Sequence, residues 1–311
     1  MDSVAIIRIF APMSTTVTID RNSGFCFGVT RAIEEAQRRL SAMKSPLYCL
    51  GEIVHNNEEV RRLEDAGLRV IDNQTFSTLR NAQVLIRAHG EPPQTYQKAQ
   101  ENHIELIDAT CPIVLKLQQR IKAGYEQMMQ MGGQVLIYGK PGHAEVIGLN
   151  GQTGNRAHVV SSPEDVQTMD FSVPTLLYSQ TTMNTGNYSQ IVDFVREACQ
   201  QNGVYFKAVN SICKSMSRRA EQLEEFAKAN QGVVFVSGRQ SSNGRYLYEI
   251  CRKFNGNTFF VSSPDELRPE DFTAPDGKPR FNSIGVCGAT STPMWLMESV
   301  ARRINTLTEC I

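Results

Sequence analysis

The sequence repeats one succession of patterns three times. A strand-like apolar run that ends in glycine and a polar loop occurs three times in the 311 residues, and each copy then enters a helix-like segment. The copies are LYCLGEIVHNNEEV at 47–60, QVLIYGKPGHAEVIG at 134–148 and VVFVSGRQSSNGRYLYEI at 233–250. Because an internal repeat of this kind implies repeated structural units, we expect three similar modules.

Each copy continues with the same further elements. A second strand-like run follows at LRVIDNQTFSTL, AHVVSSPEDVQ and TFFVSSPDELR, and a third at VLIRAHGEPP, TLLYSQTTMN and SIGVCGATSTP. A cysteine and a helical stretch precede each copy, so the predicted unit is Cys, helix, strand, helix, strand, helix, strand. Strands that alternate with helices predict parallel sheets covered on their faces. We therefore expect an α/β fold of three similar lobes in a pseudo-threefold trefoil, with the polar loops at its centre.

Charge and hydropathy argue against two classes of partner. Thirty-two basic and thirty-two acidic residues give a formal net charge of zero, so bulk charge predicts binding to neither nucleic acid nor an anionic membrane. No apolar run approaches the roughly 20 residues that cross a bilayer. Residues 1–16 make a poor secretion signal, and we interpret them as an N-terminal strand or extension. We expect a soluble, cytoplasmic protein with reduced cysteines.

Three of the five histidines fall in loops at equivalent strand ends, namely His55, His89 and His143. The loops also contain short hydroxyl and amide side chains, among them Thr181, Ser241, Ser242, Asn243 and Ser291. Such groups, with the N–H groups at helix starts, suit phosphate oxygens without a cluster of Lys or Arg. The loops therefore indicate a phosphorylated or diphosphorylated small ligand, although Ser, Thr and Asn are also ordinary helix caps.

Eight cysteines are present and none lies in a CxxC pair, which excludes a zinc ribbon or a thioredoxin-like motif. Cys26, Cys111 and Cys213 each precede the helix of one repeat, and Cys111 is followed by proline, a context found in iron–sulfur proteins. Three thiolates from distant segments match a cluster with one iron left open. Three Cys or three His around an open position also describe catalytic zinc, and the spacing leaves both metals possible.

Eight motifs in register resemble one enzyme family. They are GFCFGVTRAI, GEIVHNN, RAHGEPP, DATCP, GHAEV, SQTT, SSNG and ATSTP. From about residue 17 to the C-terminus, the chain resembles the 4-hydroxy-3-methylbut-2-enyl diphosphate reductase family, which catalyses the last step of the methylerythritol phosphate route to isoprenoids. The resemblance implies a three-lobed α/β fold around a 4Fe-4S cluster held by three cysteines. We place the lobes at 1–111, with the N-terminal strand and Cys26, at 112–210 and at 211–311.

The resemblance also implies a role for each candidate residue. The cluster ligands would be Cys26, Cys111 and Cys213. The substrate site, mostly around the diphosphate, would comprise His55, His89, His143, Thr181, Ser241, Ser242, Asn243 and Ser291. Glu145 would deliver a proton and Thr181 would relay it or hold the substrate hydroxyl, which would bind the open iron. The implied products are isopentenyl and dimethylallyl diphosphate, and the implied electron donor is a ferredoxin or flavodoxin.

Two positions depart from the commoner family pattern, and two rival functions stay open. Met216 stands where a pocket hydroxyl is often found, and Cys287 takes a threonine position. Glu145 also has a structural explanation, because the helix dipole favours a carboxylate in the first turn. The rivals are a non-catalytic iron–sulfur carrier or sensor and another three-cysteine cluster lyase, such as the quinolinate synthase type. A carrier has no need of a proton donor beside an open iron, so Glu145 argues against it.

Overall fold

The computed structural model describes residues 15–42 and 46–309, and within these residues twelve strands form three four-stranded sheets. The strands are β1 (Thr16–Ile19), β2 (Leu47–Leu50), β3 (Leu68–Ile71), β4 (Gln83–Ile86), β5 (Glu105–Asp108), β6 (Gln134–Tyr138), β7 (His158–Val160), β8 (Thr175–Ser179), β9 (Phe206–Ala208), β10 (Gly232–Val236), β11 (Thr258–Val261) and β12 (Ser283–Gly288). The α-helices are α1 (Phe27–Ala42), α2 (Asn57–Asp65), α3 (Asn73–Thr78), α4 (Pro93–Glu101), α5 (Pro112–Gln130), α6 (Ala144–Gly151), α7 (Thr185–Gln201), α8 (Lys214–Ala229), α9 (Ser242–Phe254) and α10 (Met294–Glu309).

The three sheets share one strand order. They read β3-β2-β4-β5, β7-β6-β8-β9 and β11-β10-β12-β1, and every pair within them is parallel. In each sheet the two central strands come from the first and third strand signals of one repeat. This confirms the predicted α/β fold of three similar lobes with parallel sheets.

We had expected the N-terminal strand to belong to the first lobe, but it belongs to the third. β1 pairs with β12, with Thr16 opposite Ser283, so it completes the third sheet. β1 occupies the edge of the third sheet that β5 and β9 occupy in the other two sheets. The edge strand of the third sheet therefore precedes the rest of that sheet in sequence, whereas β5 and β9 follow the other strands of theirs. The strand or extension predicted for residues 1–16 lies almost wholly outside the described residues, which begin at Thr15.

Two further details of the predicted unit were wrong. The predicted unit had three strands, whereas each observed sheet has four. The edge strands β5 and β9 were missed because they have only 4 and 3 residues and partly exposed side chains, which leave little apolar pattern in the sequence. The third helix of the unit, which follows the second strand, forms as α3 in the first lobe. In the other lobes it is reduced to short 3-10 turns at Asp165–Thr168, Pro264–Glu266 and Pro269–Asp271.

The core of each lobe lies on both faces of its sheet. All five residues of β8 and of β10 are buried, as expected for strands that helices cover on both sides. The predicted helical periodicity is confirmed at Val114, Leu117 and Ile121, which are buried along α5. None of the helices within 15–42 and 46–309 combines the length and the apolarity that crossing a membrane requires.

The candidate cysteines lie at the seams between lobes. Cys26 follows β1 and precedes α1, Cys111 lies between β5 and α5, and Cys213 lies between β9 and α8. In each case the chain leaves the edge strand of one sheet and enters the first helix of the next lobe, since the buried face of α1 packs into the first core and that of α5 into the second. The fold thus brings one cysteine per seam to the axis.

Candidate functional site

A cavity lies where the three lobes meet. Its lining includes seven of the residues selected from the sequence, namely Cys26, His89, Cys111, Glu145, Thr181, Cys213 and Asn243. The other lining side chains are mostly small or apolar, among them Val29, Val114, Met216 and Thr290. The cysteine loops that line the cavity follow the edge strands, and the other lining loops follow the central strands. All of them leave the carboxyl ends of strands, which is where ligands of open parallel sheets bind.

The three cysteines are held by equivalent backbone hydrogen bonds. The N–H of Cys26 donates to the carbonyl of Thr290 at 3.1 Å, that of Cys111 to Ala88 at 3.0 Å and that of Cys213 to Thr181 at 2.8 Å. Each acceptor follows the third strand of the preceding lobe, so the same contact occurs at all three seams. The pseudo-threefold symmetry therefore extends to the backbone that orients the thiols.

The thiols fit a group that supplies positive charge. A side chain at Gly28 would place its Cβ only 2.7 Å from the Cys111 sulfur, so the start of α1 lies directly against that thiol. Burial raises the pKa of Cys26, and the proximity of Cys111 and Cys213 raises it further. None of the described cysteines forms a disulfide. A metal cluster would offset the cost of three neighbouring thiolates that are each partly removed from water.

The three loop histidines form a compact cluster beside the cysteines. The ring centroids of His55, His89 and His143 lie 5.0, 5.3 and 5.5 Å apart, and one nitrogen of each lies within 4.8 Å of the other two. This cluster could hold a divalent metal or an anion. Burial lowers the pKa of His143 to about 4 and that of His89 well below its ordinary value, with the nearby His55 adding to both effects. His89 and His143 are therefore neutral near pH 7 in the free protein.

Local structure fixes the orientation of two of these rings. His143 is the N-cap of α6, and its Nδ1 accepts a hydrogen bond from the N–H of Glu145 at 3.2 Å. That contact leaves Nε2 of His143 as the protonated nitrogen. On His55, Nδ1 lies 3.4 Å from a carboxylate oxygen of Glu52, and this contact lowers the pKa of Glu52. Nε2 of His55 and Nδ1 of His89 are buried without a partner in the described structure.

Glu145 and Thr181 form a buried pair across the two loops of the second lobe. The N–H of Thr181 donates to one carboxylate oxygen of Glu145 at 2.8 Å, and the Thr181 hydroxyl donates to the other, also at 2.8 Å. Burial raises the pKa of Glu145 to about 7, although the two hydrogen bonds from Thr181 work in the opposite direction. The dipole explanation for Glu145 also holds, since it lies in the first turn of α6. A carboxyl titrating near neutral pH inside a cavity is suited to proton transfer.

The third lobe contributes hydroxyl and amide groups. Ser241 is the N-cap of α9 and accepts from the N–H of Gly244 at 3.1 Å, and its hydroxyl lies 3.0 Å from that of Ser291. The loop that carries it touches the His55 loop, because a Cβ at Gly238 would collide with the His55 carbonyl. The Ser242 hydroxyl and the Asn243 amide oxygen are buried without partners among the described residues. Unpartnered buried polar atoms on facing loops indicate a polar ligand.

The structure thus brings all the selected residues to one region and also clarifies the two departures. Met216 lines the cavity next to Thr290, so an apolar group does replace a hydroxyl there. Cys287 packs instead into the core of the third lobe, 4.0 Å from the sulfur of Cys251, and is absent from the cavity lining.

Sequence reasoning missed a buried ion pair that supports two of the cysteine loops. A guanidinium nitrogen of Arg219 on α8 lies 2.5 Å from a carboxylate oxygen of Asp20. Arg219 also donates to the hydroxyl of Ser23, and this hydroxyl accepts from the N–H of Gly288 at 2.9 Å. Arg219 and Asp20 are each about 5% exposed or less. The group ties the segment before Cys26 to the helix after Cys213. The only signal in the sequence was an arginine on the apolar side of a predicted helix.

Comparisons with known proteins identify a family for the chain. The family model described as LytB protein matches residues 17–305. Proteins named 4-hydroxy-3-methylbut-2-enyl diphosphate reductase are similar to the chain: one from Bacteroides fragilis is 48% identical and covers 93% of this chain and 97% of its own. One from Porphyromonas gingivalis is 47% identical, with 94% and 99% covered.

Two solved structures have the same fold. A structure of (E)-4-hydroxy-3-methyl-but-2-enyl diphosphate reductase, the terminal enzyme of the non-mevalonate pathway, matches with a TM-score of 0.68 and 30% identity over 93% of this chain and 99% of that one. The reductase from Plasmodium falciparum matches with a TM-score of 0.80, 24% identity and 95% and 88% coverage, which bears on the fold alone. By the extent of the family match and the identity to its relatives, the chain belongs to the LytB family.

Proposed function

We propose that the chain reduces 4-hydroxy-3-methylbut-2-enyl diphosphate to isopentenyl and dimethylallyl diphosphate. The observation that carries the proposal is the buried Glu145–Thr181 pair, which lines the same cavity as three convergent cysteines and His89 of the histidine cluster. The relatives are named for this activity, and the chain covers nearly all of their length.

The proposed reaction consumes two electrons and two protons. The C–O bond to the allylic hydroxyl breaks, one proton leaves with that oxygen as water, and the second proton forms a new C–H bond on the allylic carbon chain. Protonation at one carbon or the other gives the two products. The residues must therefore hold the diphosphate, position the hydroxyl and provide a proton inside a cavity from which bulk water is excluded.

The proposed cofactor is a 4Fe-4S cluster held by Cys26, Cys111 and Cys213. When bound, such a cluster supplies single electrons and a Lewis-acidic iron that is free of protein ligands. The chain contributes the three thiols, each oriented by its backbone hydrogen bond, and the apolar side chains of Val29, Val114 and Met216 that keep the surroundings dry. The proposed electron donor is a ferredoxin or flavodoxin.

The proposed diphosphate site lies between the histidine cluster and the loop of the third lobe. Nε2 of His55, Nδ1 of His89 and the Ser242 hydroxyl are buried polar groups that a diphosphate could satisfy. The Asn243 side chain, which lines the cavity, could donate through its amide NH₂. Ser241 and Ser291 add hydroxyl donors, and the N-terminus of α9 adds backbone N–H groups and a favourable dipole. This arrangement needs no Lys or Arg at the ligand.

The proposed proton donor is Glu145. Its pKa of about 7 leaves a large fraction protonated at neutral pH, and Thr181 holds both carboxylate oxygens toward the cavity. In this proposal the Thr181 hydroxyl, which bonds to Glu145, passes the proton between Glu145 and the substrate hydroxyl. His143 positions Glu145, because it caps the helix that carries the carboxylate.

The first experiment is turnover with a chemical reductant, using protein purified without oxygen, with iron and sulfide counted on the same sample. We expect both products from cluster-loaded protein. A loaded cluster without product would support the carrier or another lyase. Zinc in place of iron would overturn the cofactor, and the histidine cluster is where zinc would then be sought.

Two matched cysteine variants test the ligand set. Cys111→Ser should lose iron, sulfide and colour together, because it removes one of three thiolates at the cavity. Cys199→Ala should keep the full iron content, because Cys199 is buried in the core of the second lobe away from the cavity. Full iron content in Cys111→Ser would remove this residue from the proposed ligands.

A further inference from the structure

We propose that the exposed first turns of α1, α5 and α8 form the docking surface for a small acidic electron-carrier protein. The inference rests on the proposed function, because it takes the three cysteines to hold a redox group. We call this surface the cysteine face. It is defined by six exposed residues, namely Phe27, Arg31, Ile113, Lys116, Lys214 and Arg218.

The three first turns lie together over the cysteines. Each of the helices begins one residue after a candidate ligand, at Phe27, Pro112 and Lys214. Ile113 and Ser215 line the same central cavity as the thiols. Arg31 reaches from α1 to the carbonyl of Thr110, with 3.5 Å between nitrogen and oxygen. An electron carrier seated here would therefore be separated from the thiols by about one turn of helix.

The centre of the cysteine face is apolar and exposed. Phe27 is 72% exposed, the highest value among the large apolar side chains of the described residues, and Ile113 is 48% exposed. Both side chains belong to residues within two positions of a candidate cluster ligand. Large apolar groups held in water next to polar and charged neighbours are typical of a surface that another protein covers.

In the first two turns of the three helices, the charged side chains are all basic. The first two turns of the helices, at 27–33, 112–118 and 214–220, contain no Asp or Glu. They contain Arg31, Lys116, Lys214 and Arg218, all exposed, while Arg219 is buried in its ion pair with Asp20. The whole chain has a formal net charge of zero, so the basic surface is a local departure. A basic rim around an apolar centre is complementary to an acidic partner.

The size of the cysteine face fits the transient binding of an electron carrier. A two-electron reduction with a one-electron carrier requires two encounters per turnover, in each of which one carrier molecule is oxidised. The complex must therefore dissociate quickly. Weak redox encounters bury less than about 1,200 Å² and depend on charge to speed association. Six side chains with one central aromatic are consistent with that class of interface.

Direct binding is the first test. The cluster-loaded protein is titrated with a purified acidic ferredoxin and, separately, with an acidic flavodoxin by isothermal calorimetry at low salt. The double variant Lys116→Glu/Arg218→Glu should weaken the affinity by about tenfold or more, because it reverses two rim charges. The matched control Arg252→Glu/Arg303→Glu makes the same change in net charge on exposed residues of α9 and α10 and should leave the affinity within about twofold.

A third variant separates the apolar centre from the charged rim. Phe27→Gln should speed dissociation and leave the dependence of affinity on salt unchanged, whereas the double rim variant should slow association and reduce that dependence. If neither carrier binds the wild-type protein, or if the rim and control variants weaken binding equally, the docking surface is wrong.

Turnover with two reductants keeps this test apart from the test of the proposed function. With a chemical reductant, the rim variant should match the wild type, because Lys116 and Arg218 do not line the cavity. With ferredoxin at limiting concentration, its turnover should fall by about the same factor as its affinity. Absence of product from the wild type with the chemical reductant would contradict the proposed function. Equal turnover of wild type and rim variant with ferredoxin would contradict the docking surface alone.

Discussion

The site at the centre of the three lobes has two unlike halves. The loops after β2, β4 and β6 each place a histidine there, whereas the equivalent loops after β8, β10 and β12 place hydroxyl and amide groups only. The second lobe contributes one loop of each kind, and the Glu145–Thr181 hydrogen bonds join them. The same repeated unit therefore provides one half with titratable histidine side chains and one half with side chains that stay neutral. The comparison teaches that the repeat fixes where a side chain points but not what it does.

The largest effect should come from the junction between the halves. Glu145→Gln removes the proton but preserves size and most hydrogen bonding, so turnover should fall about 10² to 10⁴-fold while substrate affinity changes little. Single-turnover kinetics with a chemical reductant would measure this. Because the donor must be protonated and its pKa is about 7, wild-type turnover should also decline as the pH rises above 7. Near-normal turnover in Glu145→Gln would remove Glu145 as the proton donor.

The histidine half should carry the next largest effect. His89→Asn should weaken the binding of inorganic diphosphate by about 10 to 100-fold, because a hydrogen bond to a charged group contributes about 1.5–3 kcal/mol. Calorimetric titration of the cluster-loaded protein with inorganic diphosphate would measure this loss of affinity. His103→Asn is the matched control, since His103 lies in an exposed loop with a positive φ that asparagine tolerates. Equal losses in both variants would mean that the histidine cluster does not bind the diphosphate.

The pH dependence of binding separates the two halves most directly. His89 is neutral in the free protein, and a bound diphosphate would raise its pKa, so binding takes up a proton. Affinity should therefore increase as the pH falls from about 8 toward 5, by at most about tenfold per pH unit for each proton taken up.

The ratio of wild-type to His89→Asn affinity at each pH cancels the titration of the ligand itself. We expect this ratio to increase as the pH falls. A ratio that stays constant would show that His89 does not gain a proton on binding.

The smallest effect should come from the hydroxyl half. Ser291→Ala removes one neutral hydrogen bond and leaves Ser241 in place as the cap of α9, so diphosphate affinity should fall only about 2 to 10-fold. Its pH dependence should match that of the wild type. A loss as large as that of His89→Asn would abolish the distinction between the halves.

Most of the fold followed from the repeat, but its edges did not. The apolar runs of β2, β6 and β10 are buried on both faces and were plain in the sequence. β9 has three residues, of which the middle one is exposed, and it carries no periodic signal. The pairing of β1 with β12 depends on a contact between the two ends of the chain, which no local pattern encodes.

The site was predictable where chemistry requires particular residue types. Cysteine, histidine and the hydroxyls stand out against an ordinary composition, and the family motifs gave their proposed roles. The buried contact between Arg219 and Asp20 was not predictable, because each is a common charged residue and only the packing removes both from water. The basic cysteine face was not predictable for a similar reason. Its basic residues lie on three separate helices of a chain whose formal net charge is zero, and they form one surface only after folding.

The strand that closes the third sheet has a consequence for biosynthesis. Ser23, three residues before Cys26, accepts a hydrogen bond from Gly288, which is 265 positions further along the chain. Of the three candidate ligands, Cys26 is synthesised before the other two but is the last to be fixed, because its loop needs β12 and the Thr290 carbonyl. The first and second sheets can form during translation, but the set of three thiols is complete only after β12 and Thr290 have been synthesised. A nascent chain therefore lacks the complete set of candidate ligands until the third sheet has formed.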